Sequence, residues 1–301
     1  MTPLKNLLIL SAAAICLSGC DKSATSGGNA TGAVAGAAGA STGAGQLEGY
    51  IEGHNTLIGT FGFIETAEKY RKADVAHAST SGYFSVDDGW IGQGLDQLKK
   101  ARALSGASSD LNAAADALIL SMGKVRAHLA NLAPYYSGKK YLDDKLARGK
   151  QEDPQMLAEL AAAEKDLNAF RQLLDRDMAK RDEAVLAKLK SSGDLLNYNT
   201  KLALVRSNKL ISLFNQPSDI KNAAILAKAD AEVAIIEQAI ADAHQQAVKA
   251  NKRDPSGLSS LTTMIGYYRT LKQSHSNSDA EGMMRNYNQA VDSANTFGGI
   301  S

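Results

Sequence analysis

Apolar side chains recur at steps of three and four residues along most of the chain, starting at Leu47. That spacing places them on one face of an α-helix, whereas a half-buried strand would alternate every second residue. The first such face carries Leu47, Tyr50, Ile51, His54, Leu57, Ile58, Phe61 and Ile64. No run of alternating β-branched residues is long enough to predict a strand. The pattern therefore predicts an all-α protein, an antiparallel bundle of about six long helices.

Two aspartate–proline pairs stand where long periodic stretches begin. Asp153-Pro154 precedes the longest stretch, and Asp254-Pro255 precedes a later one. An aspartate that caps the first turn, followed by a proline at the first helical position, is a common start signal. We therefore expect one helix to begin at each pair.

The first twenty residues have the composition of an export signal. One lysine lies within residues 1–6, and the apolar run LLILSAAAICL follows at 7–17. Such a run is too short to cross a bilayer core of roughly 30 Å as a helix. A short positive start before a short apolar run is typical of a secretory signal peptide. We predict a cleaved signal peptide at residues 1–19.

The segment Leu17-Ser18-Gly19-Cys20 resembles the bacterial lipobox. In lipobox proteins the cysteine carries diacylglycerol in a thioether and, after cleavage before it, an acyl chain such as palmitate on its amino group. The resemblance implies lipidation at Cys20, which would hold the chain to a membrane of the bacterial cell envelope, facing the periplasm. Asp21 favours the inner membrane over the outer membrane. An ordinary cleaved signal and an uncleaved anchor are the alternatives.

The lipidated cysteine and a linker together occupy residues 20–46. Gly, Ala, Ser and Thr dominate this segment, which therefore buries too little apolar surface to become ordered, and we expect a flexible coil. Residues 47–301 follow as a single helical-bundle domain. The two cysteines are Cys16 and Cys20, so this domain has no disulfide, thiol nucleophile or thiolate metal site.

Charge and spacing argue against several classes of function. Lys and Arg number 33 and Asp and Glu 32, so the basic footprint of a nucleic-acid binder is missing. Metal-binding histidine pairs three or four residues apart are also missing. We expect no nucleic-acid partner, no catalytic residue, no cofactor and no enzyme. The scattered histidines are His54, His77, His128, His244 and His275.

A polar connector carries the most specific motif of the chain. It reads Tyr135-Tyr136-Ser137-Gly138-Lys139-Lys140-Tyr141-Leu142-Asp143-Asp144-Lys145-Leu146-Ala147-Arg148-Gly149-Lys150. Here the chain resembles the YiiG-like lipoproteins, and weaker similarities at 49–55 and 285–295 extend the resemblance over most of 47–297. The resemblance implies an all-helical fold and a lipid-anchored location, and the family has no agreed activity. The candidate signature residues are Tyr135, Tyr136, Tyr141, Asp143, Asp144, Gly149 and Lys150.

The role of the signature stays open between two alternatives. Its tyrosines and alternating charges suit a protein interface, or the same tyrosines attach the connector to the bundle. A second candidate surface around Trp90, with Tyr83 and Phe84, has the same two interpretations.

Two functions follow as hypotheses. The first is a non-enzymatic envelope module, attached to the membrane through Cys20, that binds another envelope protein or acts as a structural spacer. The alternative is a periplasmic lipoprotein that binds a small ligand or a metal. A pocket between helices, lined by carboxylates and histidines, would favour the alternative, and a filled core would favour the first.

Overall fold

The computed structural model describes residues 42–82, 84–214 and 216–297. Short 3-10 helices occupy Lys140–Leu142 and Pro217–Lys221. The α-helices are α1 (Thr42–Ile58), α2 (Phe63–Ala73), α3 (Ile91–Arg102), α4 (Ser109–Ser137), α5 (Ala147–Ser191), α6 (Leu195–Ser212), α7 (Ala223–Lys249), α8 (Leu258–Ser274) and α9 (Asn277–Phe297).

Helices are the regular structure throughout the described residues, with no strand among them, and the all-α prediction is confirmed. The helices of this part of the chain exceed the predicted number of about six, because short elements such as α2 and α3 add to the long ones. The predicted signal peptide, Cys20 and residues 21–41 of the predicted linker lie outside the described residues.

The helix α1 begins inside the segment that we predicted to be linker. Gln46 is buried, and its side-chain oxygen accepts a hydrogen bond from the backbone N–H of Ala107 at 2.6 Å. Its amide nitrogen donates to the Asn112 oxygen at 2.9 Å. These tertiary contacts stabilise a helical turn that the local glycine-rich composition does not favour by itself.

The described helices group into two compact units that divide between Arg181 and Asp182, within α5. The N-terminal unit comprises residues 43–181, and the C-terminal unit runs from Asp182 to residue 297. The single domain expected for residues 47–301 stays a prediction.

Antiparallel helix pairs build the N-terminal unit. The start of α4 lies near residue 177 of α5, as shown by the hydrogen bond that the Asp177 carboxylate accepts from the backbone N–H of Ser108 at 2.8 Å. The two helices run in opposite directions, since His128 further along α4 faces the earlier Glu152 of α5. The core of this unit is formed by buried residues of α1 to α5, including Tyr50, Leu57, Phe63, Leu98, Leu118, Met122, Leu160 and Phe170.

The C-terminal unit has a core of its own between α6, α7, α8 and α9. Asp230 of α7 contacts Lys272 near the end of α8 at 2.7 Å, and His244 of α7 contacts Asp254 just before α8 at 2.9 Å. These contacts show that α7 and α8 are antiparallel. The core residues include Leu204, Leu210, Ile236, Leu261, Met264, Tyr268, Met283 and Ala290.

The prediction that α5 begins at Asp153-Pro154 is wrong, because the helix begins at Ala147. The Asp144 carboxylate accepts the backbone N–H of Arg148 at 3.1 Å and so satisfies a donor of the first turn. Pro154 lacks an N–H and removes one backbone hydrogen bond from the second turn. Asp153 is buried inside the unit instead of capping the helix.

The prediction for Asp254-Pro255 is also wrong, since α8 begins at Leu258. The Asp254 carboxylate accepts from the His244 ring on the neighbouring helix and is therefore not available as a cap. Tertiary pairing overrides the local start signal at this site.

Candidate functional site

The tyrosines of the predicted signature lie in the interior of the N-terminal unit. Tyr135, Tyr136 and Tyr141 are buried together with Phe84. We call these four residues the tyrosine cluster. The rings of Tyr135 and Tyr136 meet edge to face with centroids 5.0 Å apart, and those of Phe84 and Tyr141 with centroids 5.3 Å apart. Such edge-to-face pairs add to the stability gained from burial.

Polar contacts attach the cluster to the start of α5. The Tyr135 hydroxyl donates to the Asp144 carboxylate at 2.8 Å. Tyr135 and Tyr136 lie within α4 and not in a connector as predicted. The Asp144 carboxylate also caps α5, so it joins the two helices. Burial, followed by the hydrogen bond to Asp144, raises the pKa of Tyr135 to about 12.

Gly149 makes the close packing of Tyr136 possible. A Cβ at position 149 would lie 2.7 Å from the Tyr136 hydroxyl oxygen, which is closer than van der Waals contact allows. The Tyr136 hydroxyl is buried without a hydrogen-bond partner, and burial raises its pKa to about 12. The remaining signature residues, Asp143 and Lys150, are exposed. The tyrosines, Asp144 and Gly149 therefore make contacts inside the unit, as expected if the signature serves packing.

A second buried polar contact joins α4 to α5 through His128. Its Nδ1 lies 3.0 Å from a Glu159 oxygen, and its Nε2 lies 3.3 Å from a Glu152 oxygen. The two glutamates are seven residues apart and therefore lie on one face of α5, two turns from each other. Sequence spacing could not indicate this contact, because it depends on how α4 and α5 pair.

His54 is the most deeply buried histidine of the described residues. Its side chain lies beside the Phe170 ring, with centroids 6.4 Å apart. Desolvation lowers the pKa of His54 to about 4, since the apolar surroundings disfavour the imidazolium ion. The residue is therefore neutral at physiological pH and has the environment of a core side chain.

The C-terminal unit contains an open groove between α7 and α8, with a volume of about 610 Å³. Apolar side chains form its floor, and ionisable groups stand along its edges. We call it the α7–α8 groove. It is lined by Glu237, Ile240, Ala241, His244, Asp254, Pro255, Ser256, Gly257, Leu258, Ser259, Thr262, Ile265 and Arg269.

A histidine–aspartate contact and an arginine–glutamate ion pair flank the groove. His244 Nδ1 lies 2.9 Å from Asp254, and Arg269 lies 2.8 Å from Glu237. All four side chains are about half exposed, between 46% and 59%. Surface pairs of this kind contribute little to stability, and each group can exchange its partner for a ligand of opposite charge. A ligand with an apolar body and charged ends would satisfy both the floor and the edges.

None of the described residues forms a group of three or more His, Cys, Asp or Glu side chains placed to hold a metal ion. The helices described also include no segment with the length and apolarity to cross a bilayer. Sequence reasoning missed the α7–α8 groove. Its lining comes from α7, from the connection at 254–257 and from α8, and none of these segments carries a binding motif.

Fold and site together define an all-α protein made of packed helical hairpins, with a buried tyrosine cluster in one unit and an open groove in the other. A family model described as "Protein of unknown function (DUF3829)" matches residues 63–275. This match covers more than half of the chain, and the protein belongs to that family. No curated protein and no solved structure matched the chain.

Proposed function

We propose that this protein is a lipid-anchored, periplasm-facing and non-enzymatic binding module of the bacterial envelope. The anchor is supported by the lipobox-like segment that ends at Cys20 and by the resemblance of the signature to YiiG-like lipoproteins. A diacylglycerol group with a further acyl chain provides the multiple chains that stable membrane attachment needs.

The observation that carries the binding role is the α7–α8 groove. Its apolar floor includes Ile240, Leu258 and Ile265, and its edges hold the His244–Asp254 and Arg269–Glu237 pairs. An apolar centre with a polar, solvent-accessible rim is the usual anatomy of a protein interface. The groove therefore suits a segment of another envelope protein that inserts apolar side chains between flanking charges.

A small-ligand binding protein is the second candidate. The volume of about 610 Å³ lies within the usual range for small-molecule sites, roughly 300–1,000 Å³. The groove lies between helices and is lined by a histidine and two carboxylates, which is the arrangement expected for this alternative. The openness of its edges favours the protein segment.

Mass spectrometry of the mature N-terminus tests the anchor. We expect a chain that begins at Cys20 and carries the mass of diacylglycerol plus an acyl group. A Cys20→Ser variant should lose this mass and leave the membrane fraction. An unmodified N-terminus in the wild-type protein would contradict the proposal.

A thermal-shift screen separates the two candidate occupants. The mature protein in detergent is heated with a library of small amphiphilic ions, and the same library is applied to Arg269→Ala and Arg285→Ala variants. Both arginines are exposed and pair with a glutamate, but only Arg269 lines the groove. A saturable rise in melting temperature that Arg269→Ala abolishes and Arg285→Ala retains would favour the small ligand. No shift with any compound would favour the protein segment.

A further inference from the structure

Two loops of the N-terminal unit present large aromatic side chains to solvent. Phe61 lies between α1 and α2 and is 55% exposed, and Trp90 directly precedes α3 and is 51% exposed. The other large apolar side chains exposed in the described residues are aliphatic and belong to other segments. We call Phe61 and Trp90 the aromatic tip.

The backbone holds the two loops of the tip together. The N–H of Trp90 donates to the carbonyl oxygen of Phe61 at 3.0 Å. Gly89, at φ +46°, lies against the same carbonyl, where a side chain would collide with it. The position of Trp90 beside Phe61 therefore depends on backbone contacts.

Phe61 adopts a conformation that is unfavourable for a bulky residue. Its φ is +62°, in the left-handed region. The Glu65 carboxylate accepts its N–H at 2.7 Å and stabilises this turn. Backbone strain of this kind persists where surrounding contacts enforce it, and it concentrates at functional sites. Here the enforced turn exposes an aromatic ring instead of burying it.

The charges around the tip are paired with one another. Lys69 lies 2.7 Å from Glu65 and 5.6 Å from the centre of the Phe61 ring. Arg126 pairs with Asp88 at 2.6 Å. With the charges paired, the rings provide the main attraction to a partner. Attraction to an anionic surface by charge is not expected.

We propose that the aromatic tip rests in the headgroup region of the lipid bilayer to which Cys20 attaches the chain. This inference rests on the proposed lipid anchor. Tryptophan and phenylalanine have an apolar body suited to the membrane–water interface, where tryptophan is enriched. A bilayer interface accepts two exposed aromatic side chains without shape complementarity.

The length of chain before α1 makes the contact possible. Residues 21–41 separate Cys20 from the helix, and such a segment spans at most about 75 Å. The helix α1 has 17 residues and is about 25 Å long. The tip at the far end of α1 can therefore reach the bilayer that holds the lipid. The attachment also raises the effective concentration of membrane near the tip.

Trp90 is the only tryptophan of the chain, so its fluorescence reports on the tip alone. The mature lipidated protein is reconstituted into phosphatidylcholine vesicles, with ordinary lipid or with lipid brominated near the headgroup end of the acyl chains. We expect brominated lipid to quench Trp90 emission at least twofold. Addition of salt should not change the quenching, and Phe61→Ser should weaken it.

A matched control moves the tryptophan to another exposed site of the same unit. Leu120 on α4 is also exposed, and the double variant Trp90→Phe/Leu120→Trp should show no quenching by brominated lipid. Equal quenching in this variant would overturn the assignment of the contact to the tip.

Vesicle flotation in the same samples distinguishes failure of the anchor from failure of the tip. Protein that floats with the vesicles but shows no quenching of Trp90 would overturn the inference and leave the anchor standing. Protein that does not float would overturn the anchor and, with it, this inference.

Discussion

The tyrosine cluster of the N-terminal unit and the α7–α8 groove of the C-terminal unit differ in how far their polar groups are exposed to solvent. In the cluster, the hydroxyls of Tyr135 and Tyr136 are buried, and one of them has no hydrogen-bond partner. In the groove, the side chains of His244 and Arg269 are about half exposed, and each contacts a carboxylate at the surface. The cluster has few polar groups left to offer a ligand, whereas the groove offers four.

This difference bears on which residues a family resemblance detects. A closely packed cluster tolerates little change, because altered volume creates cavities or clashes. An open groove tolerates change in its lining with little effect on folding. A recognisable motif such as 135–150 can therefore identify a family through its packing, while the groove that we propose as a binding surface carries no motif.

The largest effect should come from the cluster. Tyr136→Ala removes a fully buried ring and should lower the free energy of unfolding by about 3–5 kcal/mol. Tyr136→Phe removes only a hydroxyl without a partner and should change the free energy by less than about 1 kcal/mol. Urea unfolding followed by circular dichroism measures both. A large loss in Tyr136→Phe would show that the hydroxyl has a role other than packing.

An ion pair between Lys201 and Asp182 provides a corresponding stability test for the core of the C-terminal unit. Lys201 is buried and lies 2.8 Å from Asp182. Asp182→Asn removes the negative charge beside a buried cation and should lower the free energy of unfolding by about 3 kcal/mol. The double variant Lys201→Met/Asp182→Leu should be closer to wild type than Asp182→Asn. If both variants are equally destabilised, loss of the charge partner is not the cause.

His54 should make the N-terminal unit sensitive to acid. The unfolded histidine takes up a proton near pH 6.5, whereas the folded one does so only near pH 4. The contribution of neutral His54 to the free energy of unfolding is therefore fully present above pH 6.5. It is lost, by up to about 3 kcal/mol, as the pH drops toward 4. Amide hydrogen exchange of α1 peptides measures this change. His54→Leu should remove this part of the pH dependence; an unchanged profile would contradict the assignment.

The smallest effect should come from the groove. Arg269→Ala breaks an exposed pair and should change the free energy of unfolding by less than about 0.5 kcal/mol. Arg285→Ala, the exposed control, should behave alike. Thermal unfolding of both variants beside Tyr136→Ala tests whether the groove is free of a structural role. A loss near that of Tyr136→Ala would assign Arg269 to the core.

The sequence predicted the helical class and much of the helix placement, because a face such as Leu47–Tyr50–Leu57 has an unmistakable period. It failed at Asp153, which is buried inside a helix that begins at Ala147, and at Asp254, whose carboxylate pairs with His244. The contacts of His128 with Glu152 and Glu159 were also out of reach, since they depend on the pairing of α4 with α5.

The candidate sites differed in the same respect. The packing alternative for Tyr135, Tyr136 and Tyr141 could be stated from composition alone. The α7–α8 groove could not be predicted, because its lining residues form no motif in the sequence and come together only when the two helices pack. The position of Trp90 beside Phe61 likewise depends on a backbone hydrogen bond between two loops that are far apart in the sequence.

Photo-crosslinking in intact cells tests the role of the groove most directly. A photoreactive amino acid is placed at Ala241, which is exposed and lines the groove, or at Ala234, an exposed alanine of the same helix outside it. We expect a discrete crosslinked envelope protein from Ala241 and not from Ala234, and its loss in Arg269→Ala but not in Arg285→Ala. The same product from both positions, or no product from Ala241, would contradict the account.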